Sequence, residues 1–257
     1  MSATDGSRRV RSFAANREET FPQGSQGEVP PPAVAGMSVQ PDMISNGAAR
    51  ALNLTVAAIG LAVSAPVMAL VAIAIKLTSR GPVFYTQTRI GLNTRSRHVP
   101  ANHVARRDRD LGGRPFLIIK FRTMRVDAEQ MTGAVWASKH DPRVTFLGRF
   151  LRQYRLDELP QLINVLMGDM NVVGPRPERP EIFADLRAQI PGYDLRQRAL
   201  PGITGHAQTN QEYDTSIESV RTKLAYDLEY VARQGFWEDL KIMARTIPVI
   251  FLRKGGW

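Results

Sequence analysis

The hydrophobic pattern of the chain is dominated by one run of twenty-five residues, 51–75, that contains no charged side chain. Because an α-helix rises about 1.5 Å per residue, this run reaches about 37 Å and exceeds the roughly 30 Å hydrocarbon core of a bilayer. Pro66 divides the run, removes one backbone hydrogen bond and is expected to bend the helix. Ser64 offers a hydroxyl to the carbonyl that the proline leaves unpaired. The pattern therefore predicts a kinked membrane helix.

The remaining pattern predicts an α+β fold in which helices dominate. Apolar residues recur with helical spacing over 159–166, and Pro160 fits only a first turn, so this helix should begin near Asp157. The pattern predicts further helices over 145–156, 216–234 and 237–252, and short strands over 83–88 and 115–122. The 237–252 helix is amphipathic and is predicted to lie along the membrane interface.

The charge of the chain is concentrated directly after the apolar run. The net charge is +10, and residues 76–125 hold twelve Lys or Arg against two Asp, which accounts for the whole excess. Such a block next to an apolar helix is typical of a membrane surface with anionic lipid, and its side should be cytoplasmic. Nucleic-acid binding is the rival interpretation, but no aromatic-interleaved or zinc-finger pattern accompanies the charge. The chain has no cysteine, which excludes disulfides and Cys-ligated metals.

The N-terminal segment 1–45 is rich in Ser, Gly, Pro, Gln and Arg and lacks apolar periodicity. This composition predicts disorder. No apolar signal peptide stands at its start, so secretion is not expected.

Two adjacent carboxylates, Asp157 and Glu158, are the strongest candidates for chemistry. Taken alone they fit an ordinary helix N-cap and first turn. Their neighbours favour more: Arg152 and Arg155 stand just upstream, and Arg176 lies in a Gly-Pro-Arg-Pro turn downstream. Arginines and a helix N-terminus around two carboxylates indicate a site for phosphate, a nucleophile and a metal.

These segments resemble the bacterial sugar transferases, the monotopic polyprenyl-phosphate phosphoglycosyltransferases that start surface-glycan assembly. The resemblance runs in order from about residue 50 to the C-terminus. Its motifs are Gly81-Pro82-Val83-Phe84-Tyr85 with Gln87, Arg89 and Gly91; Lys120-Phe121-Arg122-Thr123-Met124; Leu156-Asp157-Glu158-Leu159-Pro160 with Gln161 and Asn164; Gly168-Asp169-Met170; Val173-Gly174-Pro175-Arg176-Pro177; Pro201-Gly202-Ile203-Thr204-Gly205 with Gln208; and Tyr226-Asp227 with Tyr230.

The resemblance implies a reaction and a role for each candidate residue. Asp157 would attack the β-phosphate of a nucleotide diphosphate-sugar, expel the nucleoside monophosphate and form a sugar-phosphoryl aspartate, which polyprenyl phosphate then discharges. Glu158 would ligate Mg²⁺. Arg152 and Arg176 would clamp phosphate oxygens. Further participants in the site would be Lys120 and Asp227.

The resemblance also implies the placement of the chain in the cell. Residues 46–80 would form a re-entrant membrane helix that is kinked at Pro66, with Arg50 and Lys76 both reaching one layer of lipid headgroups. Residues 81–257 would form a cytoplasmic catalytic domain on the bacterial inner membrane. The donor would be a UDP-sugar and the acceptor undecaprenyl phosphate. The sequence leaves the sugar, the nucleotide, the glycan pathway, the true start codon and homo-oligomerisation open. A non-catalytic membrane-surface adaptor is the other rival, and it would survive loss of both carboxylates.

Several positions depart from the family pattern or imitate other motifs. Ala65, rather than Ser, precedes Pro66, while Leu200 and His206 stand where relatives have Arg and Trp. One phosphate or nucleotide contact would therefore be missing, or be supplied by Arg196 or Arg198. Asp108-Arg109-Asp110 mimics a metal motif but reads better as a solvated charge run, and His98 and His103 as surface residues.

Overall fold

The computed structural model describes residues 47–93, 111–128, 141–211 and 216–251. Helices predominate, and the strands are few and short. The helices are α1 (Gly47–Thr78), α2 (Phe146–Gln153), α3 (Gln161–Met167), α4 (Pro180–Gln189), α5 (His206–Asn210), α6 (Ile217–Arg233) and α7 (Phe236–Phe251); the strands are β1 (Phe84–Ile90), β2 (Pro115–Phe121), β3 (Asn171–Val173) and β4 (Gly202–Thr204). The predicted disordered segment 1–45, the Asp108-Arg109-Asp110 run and His98 and His103 lie outside the described residues.

Helix α1 is a single helix of 32 residues that continues through Pro66. Among the described helices it is the one long and apolar enough to cross a membrane, and only 11% of its most apolar window is buried. Its large apolar side chains exposed on one side are Ile59, Val63, Val67, Leu70, Ile73 and Leu77. The opposite side is buried against the rest of the molecule through Asn53, Ala57, Val71 and Ile75.

Both halves of α1 contact the body of the protein. Near its start, Ala57 packs in a core cluster with Phe116, Val165 and Met170. Near its end, Val71 and Ile75 pack with Phe121 and Leu151. The helix therefore lies along the body over most of its length.

Two predictions about α1 are wrong in detail. Arg50 was expected to reach the lipid headgroups, but its guanidinium donates to the Val165 carbonyl (2.7 Å), the Met170 carbonyl (2.9 Å) and Asn171 Oδ1 (2.7 Å). The bond to Val165 satisfies a carbonyl in the last turn of α3, and the other two bonds tie Arg50 to the segment that leads into β3. Ser64 Oγ lies 3.5 Å from the Leu61 carbonyl oxygen, not at the Ala62 carbonyl that Pro66 leaves without its helical donor.

The strands form two separate pairs. The predicted strands β1 and β2 pair in antiparallel fashion, with Tyr85 opposite Lys120 and Ile90 opposite Pro115. Strands β3 and β4 pair in parallel, with Asn171 opposite Gly202 and Val173 opposite Thr204. The sequence analysis predicted neither β3 and β4 nor the helices α4 and α5. Helices α2, α6 and α7 agree with prediction within a few residues.

Candidate active site

The two carboxylates sit in a short connection between helices. Chain direction changes at Arg155, whose φ of 53° places it in the left-handed region, and a 3-10 turn covers Leu156–Glu158. Pro160 then precedes α3, which begins at Gln161. The helical path does begin near Asp157, but as a separate 3-10 turn rather than as the first turn of α3. Both carboxylates are buried, with 8% of Asp157 and 7% of Glu158 exposed.

Glu158 is surrounded by cations. Its Oε1 accepts from Arg176 Nη2 (2.6 Å) and Lys120 Nζ (3.0 Å), and its Oε2 lies 3.5 Å from Arg155 Nη1. Burial alone would raise the pKa of Glu158, but Arg176, Lys120 and Arg155 together hold it well below its usual range. This side chain is therefore a permanently ionised, immobilised carboxylate that holds its three cations in place.

The neighbouring Asp157 is not bonded by cations in this way. It makes no hydrogen bond or ion pair with any residue that the structure describes. Burial raises its pKa to about 6; Lys120 opposes the rise and the negative charge of Glu158 adds to it. A desolvated carboxylate with open lone pairs that is still ionised near neutral pH is suited to nucleophilic attack.

Strand β2 and helix α2 bring the other predicted residues to the pair. Lys120, near the end of β2, reaches Glu158 as described above. Arg152 donates from Nε to Thr123 Oγ1 (2.9 Å), just beyond that strand, and its charge lowers the pKa of Asp157. Arg152 is therefore close enough to Asp157 to act on its charge, while Lys120 and Arg176 bond Glu158. The structure thus brings together Asp157, Glu158, Lys120, Arg152 and Arg176.

The segment that carries Arg176 is held rigidly. Pro175 and Pro177 fix the backbone on either side of Arg176, and four consecutive carbonyls, from Pro175 to Glu178, each accept a hydrogen bond. The donors, in that order, are the Gly202 N–H (3.0 Å), Arg196 Nη2 (2.8 Å), Arg89 Nη1 (3.1 Å) and the Ile90 N–H (2.9 Å). A guanidinium on such a segment is preorganised for a phosphate.

Asp227 lies behind this segment rather than beside Asp157. It is buried, and Arg196 bonds it through Nε (2.9 Å) and Nη2 (2.7 Å). Because Arg196 also donates to the Arg176 carbonyl, Asp227 is linked to the site through Arg196. Arg196 is 1% exposed and fully committed to these partners, so it is not the substitute phosphate contact that the Leu200 and His206 departures suggested.

Arg89 lies in the candidate site, although the sequence analysis named it only within a family motif and gave it no role. It lies on the same face of β1 as Tyr85 and Gln87, and Gln87 Oε1 accepts from Arg89 Nη2 (2.6 Å). Its Nε is buried and has no partner among the described residues. Burial lowers its pKa, the negative charge of Glu178 opposes this change, and the positive charge of Arg176 adds to it. Strand alternation, with Tyr85 opposite Lys120, is the signal that could have placed this face toward the site.

The acidic residues of the candidate site would hold Mg²⁺ together with substrate. No group of three His, Asp or Glu side chains that could bind a metal occurs within the described ranges. Mg²⁺ is commonly held by one or two carboxylates and completed by substrate phosphates and water, and the adjacent Asp157 and Glu158 fit that pattern. Lys120 and Arg176 occupy Oε1 of Glu158, so a metal at Glu158 would have to share or displace a cation.

The sequence of the chain is similar to those of known proteins. The sequence profile of the family described as bacterial sugar transferase matches residues 44–253. The chain belongs to this family. The predicted family and the predicted class of enzyme are thereby confirmed.

The individual relatives agree on undecaprenyl phosphate. The chain is 41% identical over 201 residues to a "UDP-glucose:undecaprenyl-phosphate glucose-1-phosphate transferase" of Caulobacter vibrioides, covering 77% of this chain and 68% of the relative. A protein of the same name from Escherichia coli is 39% identical over 211 residues, covering 81% of this chain and 41% of the relative. A "putative undecaprenyl-phosphate N-acetylgalactosaminyl 1-phosphate transferase" of Bacillus subtilis is 45% identical over 147 residues, covering 57% of this chain and 71% of the relative. The chain therefore spans less than half of some relatives, and their names give different sugars.

Proposed function

We propose that this protein transfers a sugar 1-phosphate from a UDP-sugar to undecaprenyl phosphate, giving undecaprenyl diphosphate-sugar and UMP through a covalent intermediate on Asp157. The observation that carries the proposal is the contrast between two adjacent buried carboxylates. Glu158 is held by three cations, whereas Asp157 has no hydrogen-bond partner among the described residues and a pKa of about 6.

The first half-reaction breaks the bond between the β-phosphorus and the oxygen that bridges it to the α-phosphate. A carboxylate oxygen of Asp157 forms the new bond to the β-phosphorus, and the bridging oxygen leaves with UMP as a phosphate oxygen. In the second half-reaction an oxygen of undecaprenyl phosphate attacks the same phosphorus, and the Asp157 carboxylate leaves unchanged. Neither step requires a proton transfer, so Asp157 and Glu158 do not have to share or exchange a proton and can have separate roles.

Cations around the pair supply the electrostatic part of catalysis. Arg176 on its rigid segment and Arg152 on α2 present planar guanidinium groups suited to phosphate oxygens. Lys120 adds a desolvated ammonium; burial lowers its pKa, and Glu158 opposes that change. Because these groups are fixed before substrate arrives, they stabilise developing charge without reorganisation. Mg²⁺, held by Glu158 and diphosphate oxygens, would neutralise charge on the departing phosphate.

A lipid acceptor requires the site to lie at a membrane. The exposed apolar side of α1 provides the surface that would enter the bilayer. Both halves of α1 pack on one body, through Ala57 with Val165 and through Ile75 with Phe121. A helix that crossed the bilayer would carry its two ends to opposite faces, about 30 Å apart. These contacts support a re-entrant placement on the cytoplasmic face of the inner membrane, with Pro66 as the bend and Lys76 and Arg80 at the surface.

A single-turnover assay tests the proposed chemistry. With UDP-sugar and Mg²⁺ but no lipid acceptor, the protein should release UMP up to one equivalent per enzyme. Asp157→Asn should abolish this burst, because the amide is a poor nucleophile. Asp185→Asn, which changes an exposed carboxylate on α4, is the matched control and should leave it intact. A normal burst from Asp157→Asn would rule out the covalent mechanism.

A further inference from the structure

Strand β3 leads directly into the segment that carries Arg176, and its backbone is bonded from two directions. Toward β4, the Asn171 N–H donates to the Pro201 carbonyl (2.8 Å) and the Gly174 N–H to the Thr204 carbonyl (2.9 Å). The two N–H groups between them belong to Val172 and Val173, and both donate to one side chain of α1. That acceptor is Asn53 Oδ1, at 2.8 and 3.1 Å.

Asn53 is a polar residue inside the apolar helix, and its amide is saturated. Beyond the two bonds accepted by Oδ1, its Nδ2 donates to the Ala49 carbonyl (2.7 Å) and to Asp239 Oδ2 (2.6 Å). The side chain is fully buried. An asparagine can make two donor and two acceptor bonds at its amide, and this one makes all four. Such complete satisfaction in a dry environment fixes the relative position of α1, β3 and α7.

A tyrosine completes the arrangement from α6. The Tyr230 hydroxyl lies 2.9 Å from Asp239 Oδ1 and 3.1 Å from the Val173 carbonyl oxygen, either of which can accept its hydrogen. Asp239 is 1% exposed, so its charge depends on Asn53 and Tyr230 for hydrogen bonds. We call Asn53, Tyr230 and Asp239 the β3 clamp.

We propose that the β3 clamp is a positioning device for the transfer reaction: it couples the seating of α1 to the placement of Arg176. Val173 is three residues from Arg176, and its N–H and C=O both lie within hydrogen-bond distance of clamp side chains. Gly174 between them is packed closely against the neighbouring chain, since a Cβ there would meet the Leu200 carbonyl oxygen. A displacement of α1 would therefore move β3 and, with it, the guanidinium that bonds Glu158. The inference rests on the proposed function of Arg176 in phosphate binding.

The test uses the full-length protein reconstituted in phosphatidylglycerol-containing nanodiscs. Asn53→Leu removes the amide, and Tyr230→Phe removes a single hydroxyl. Thr55→Leu, on the exposed side of the same helix, is the matched control. Misplacement of catalytic groups far from the chemistry can lower rates by about a hundredfold, so a loss of roughly ten- to a hundredfold in kcat is expected for Asn53→Leu and a smaller loss for Tyr230→Phe. Amide exchange in the 171–178 peptide should quicken in both variants and stay unchanged in the control.

A double-mutant cycle separates positioning from general stability. If the clamp acts through Arg176, Asn53→Leu should add little to the loss already caused by Arg176→Lys. The proposal would be overturned if the loss in kcat of the double variant equalled the product of the two single losses. It would also be overturned if Tyr230→Phe changed neither kcat nor amide exchange. Tyr230→Phe decides the matter if Asn53→Leu does not fold. Asp157→Asn run in parallel keeps the two proposals apart: if it gives a normal burst, the reaction mechanism fails, whereas an abolished burst with independent clamp effects refutes only the clamp.

Discussion

The ionisation of Asp157 should set the acid limb of the donor half-reaction. Only the carboxylate can attack phosphorus, and the pKa of Asp157 is raised to about 6. About nine-tenths of the enzyme would be active at pH 7, about half at pH 6 and about one-tenth at pH 5, so kcat/KM for the UDP-sugar should fall about fivefold from pH 6 to 5 and close to tenfold per pH unit below that. The rate therefore rises with pH through 6 and then levels off.

Two substitutions should move this limb in opposite directions. The negative charge of Glu158 raises the pKa of Asp157, so Glu158→Gln should shift the limb to lower pH. The positive charge of Lys120 lowers the pKa, so Lys120→Met should shift the limb to higher pH. Both variants are expected to lose activity, and each profile is therefore scaled to its own plateau before the midpoints are compared.

The assay is initial-rate release of UMP at low donor concentration from pH 4.5 to about 8, under conditions where the nucleotide diphosphate stays ionised. Asp185→Asn is the control and should reproduce the unmodified profile. Midpoints that stay fixed in both variants, or move in the same direction, would show that the limb belongs to another group and would refute the assignment of Asp157 as the titrating nucleophile.

Three further results are expected. Asp227→Asn should lower stability by about 3 kcal/mol and reduce activity, because the buried Arg196 loses its short ion pair and keeps only Glu178, 3.7 Å away, as a counter-ion; an unchanged melting temperature would contradict this. Glu158→Gln should raise the Mg²⁺ concentration needed for half-maximal turnover, and an unchanged requirement would remove Glu158 from metal binding. Single cysteines at Ser45 and Thr94 should both be shielded from an impermeant thiol reagent in intact cells; labelling of Ser45→Cys alone after outer-membrane permeabilisation would establish a spanning helix.

The sequence predicted which residues lie close together in the candidate site better than it predicted how they are paired. Motif spacing singled out Asp157, Glu158 and Arg176, and the resemblance to the family, with Lys120 at the end of an apolar run, suggested that Lys120 joins them. It did not distinguish the environments of the two carboxylates, because these depend on contacts across 18 and 38 positions of sequence, to Arg176 and Lys120. Adjacent carboxylates acquire different roles only once tertiary structure pairs one of them.

The features that were missed depend on contacts distant in sequence. Strands β3 and β4 are three residues long and flanked by glycine and proline, so local propensity favours a loop, and their pairing spans 31 positions from Asn171 to Gly202. Asn53 stands inside an apolar run, so the mean hydropathy of that run does not reveal it. Its role depends on hydrogen bonds to β3 and to Asp239. Arg50 was expected at the lipid headgroups and Arg89 was given no role of its own, because sequence does not show which cations fold inward.

Mass spectrometry of a trapped intermediate can show directly whether Asp157 becomes covalently linked to the sugar phosphate. The protein is mixed with UDP-sugar and Mg²⁺ without lipid acceptor, quenched in acid and digested with protease. If Asp157 is the nucleophile, a sugar-phosphate adduct should appear on the peptide that contains Asp157 and be assigned to that side chain by fragmentation. The adduct should disappear when undecaprenyl phosphate is added before the quench. An adduct on another residue, or UMP release and lipid product formation without any adduct, would contradict nucleophilic catalysis by Asp157.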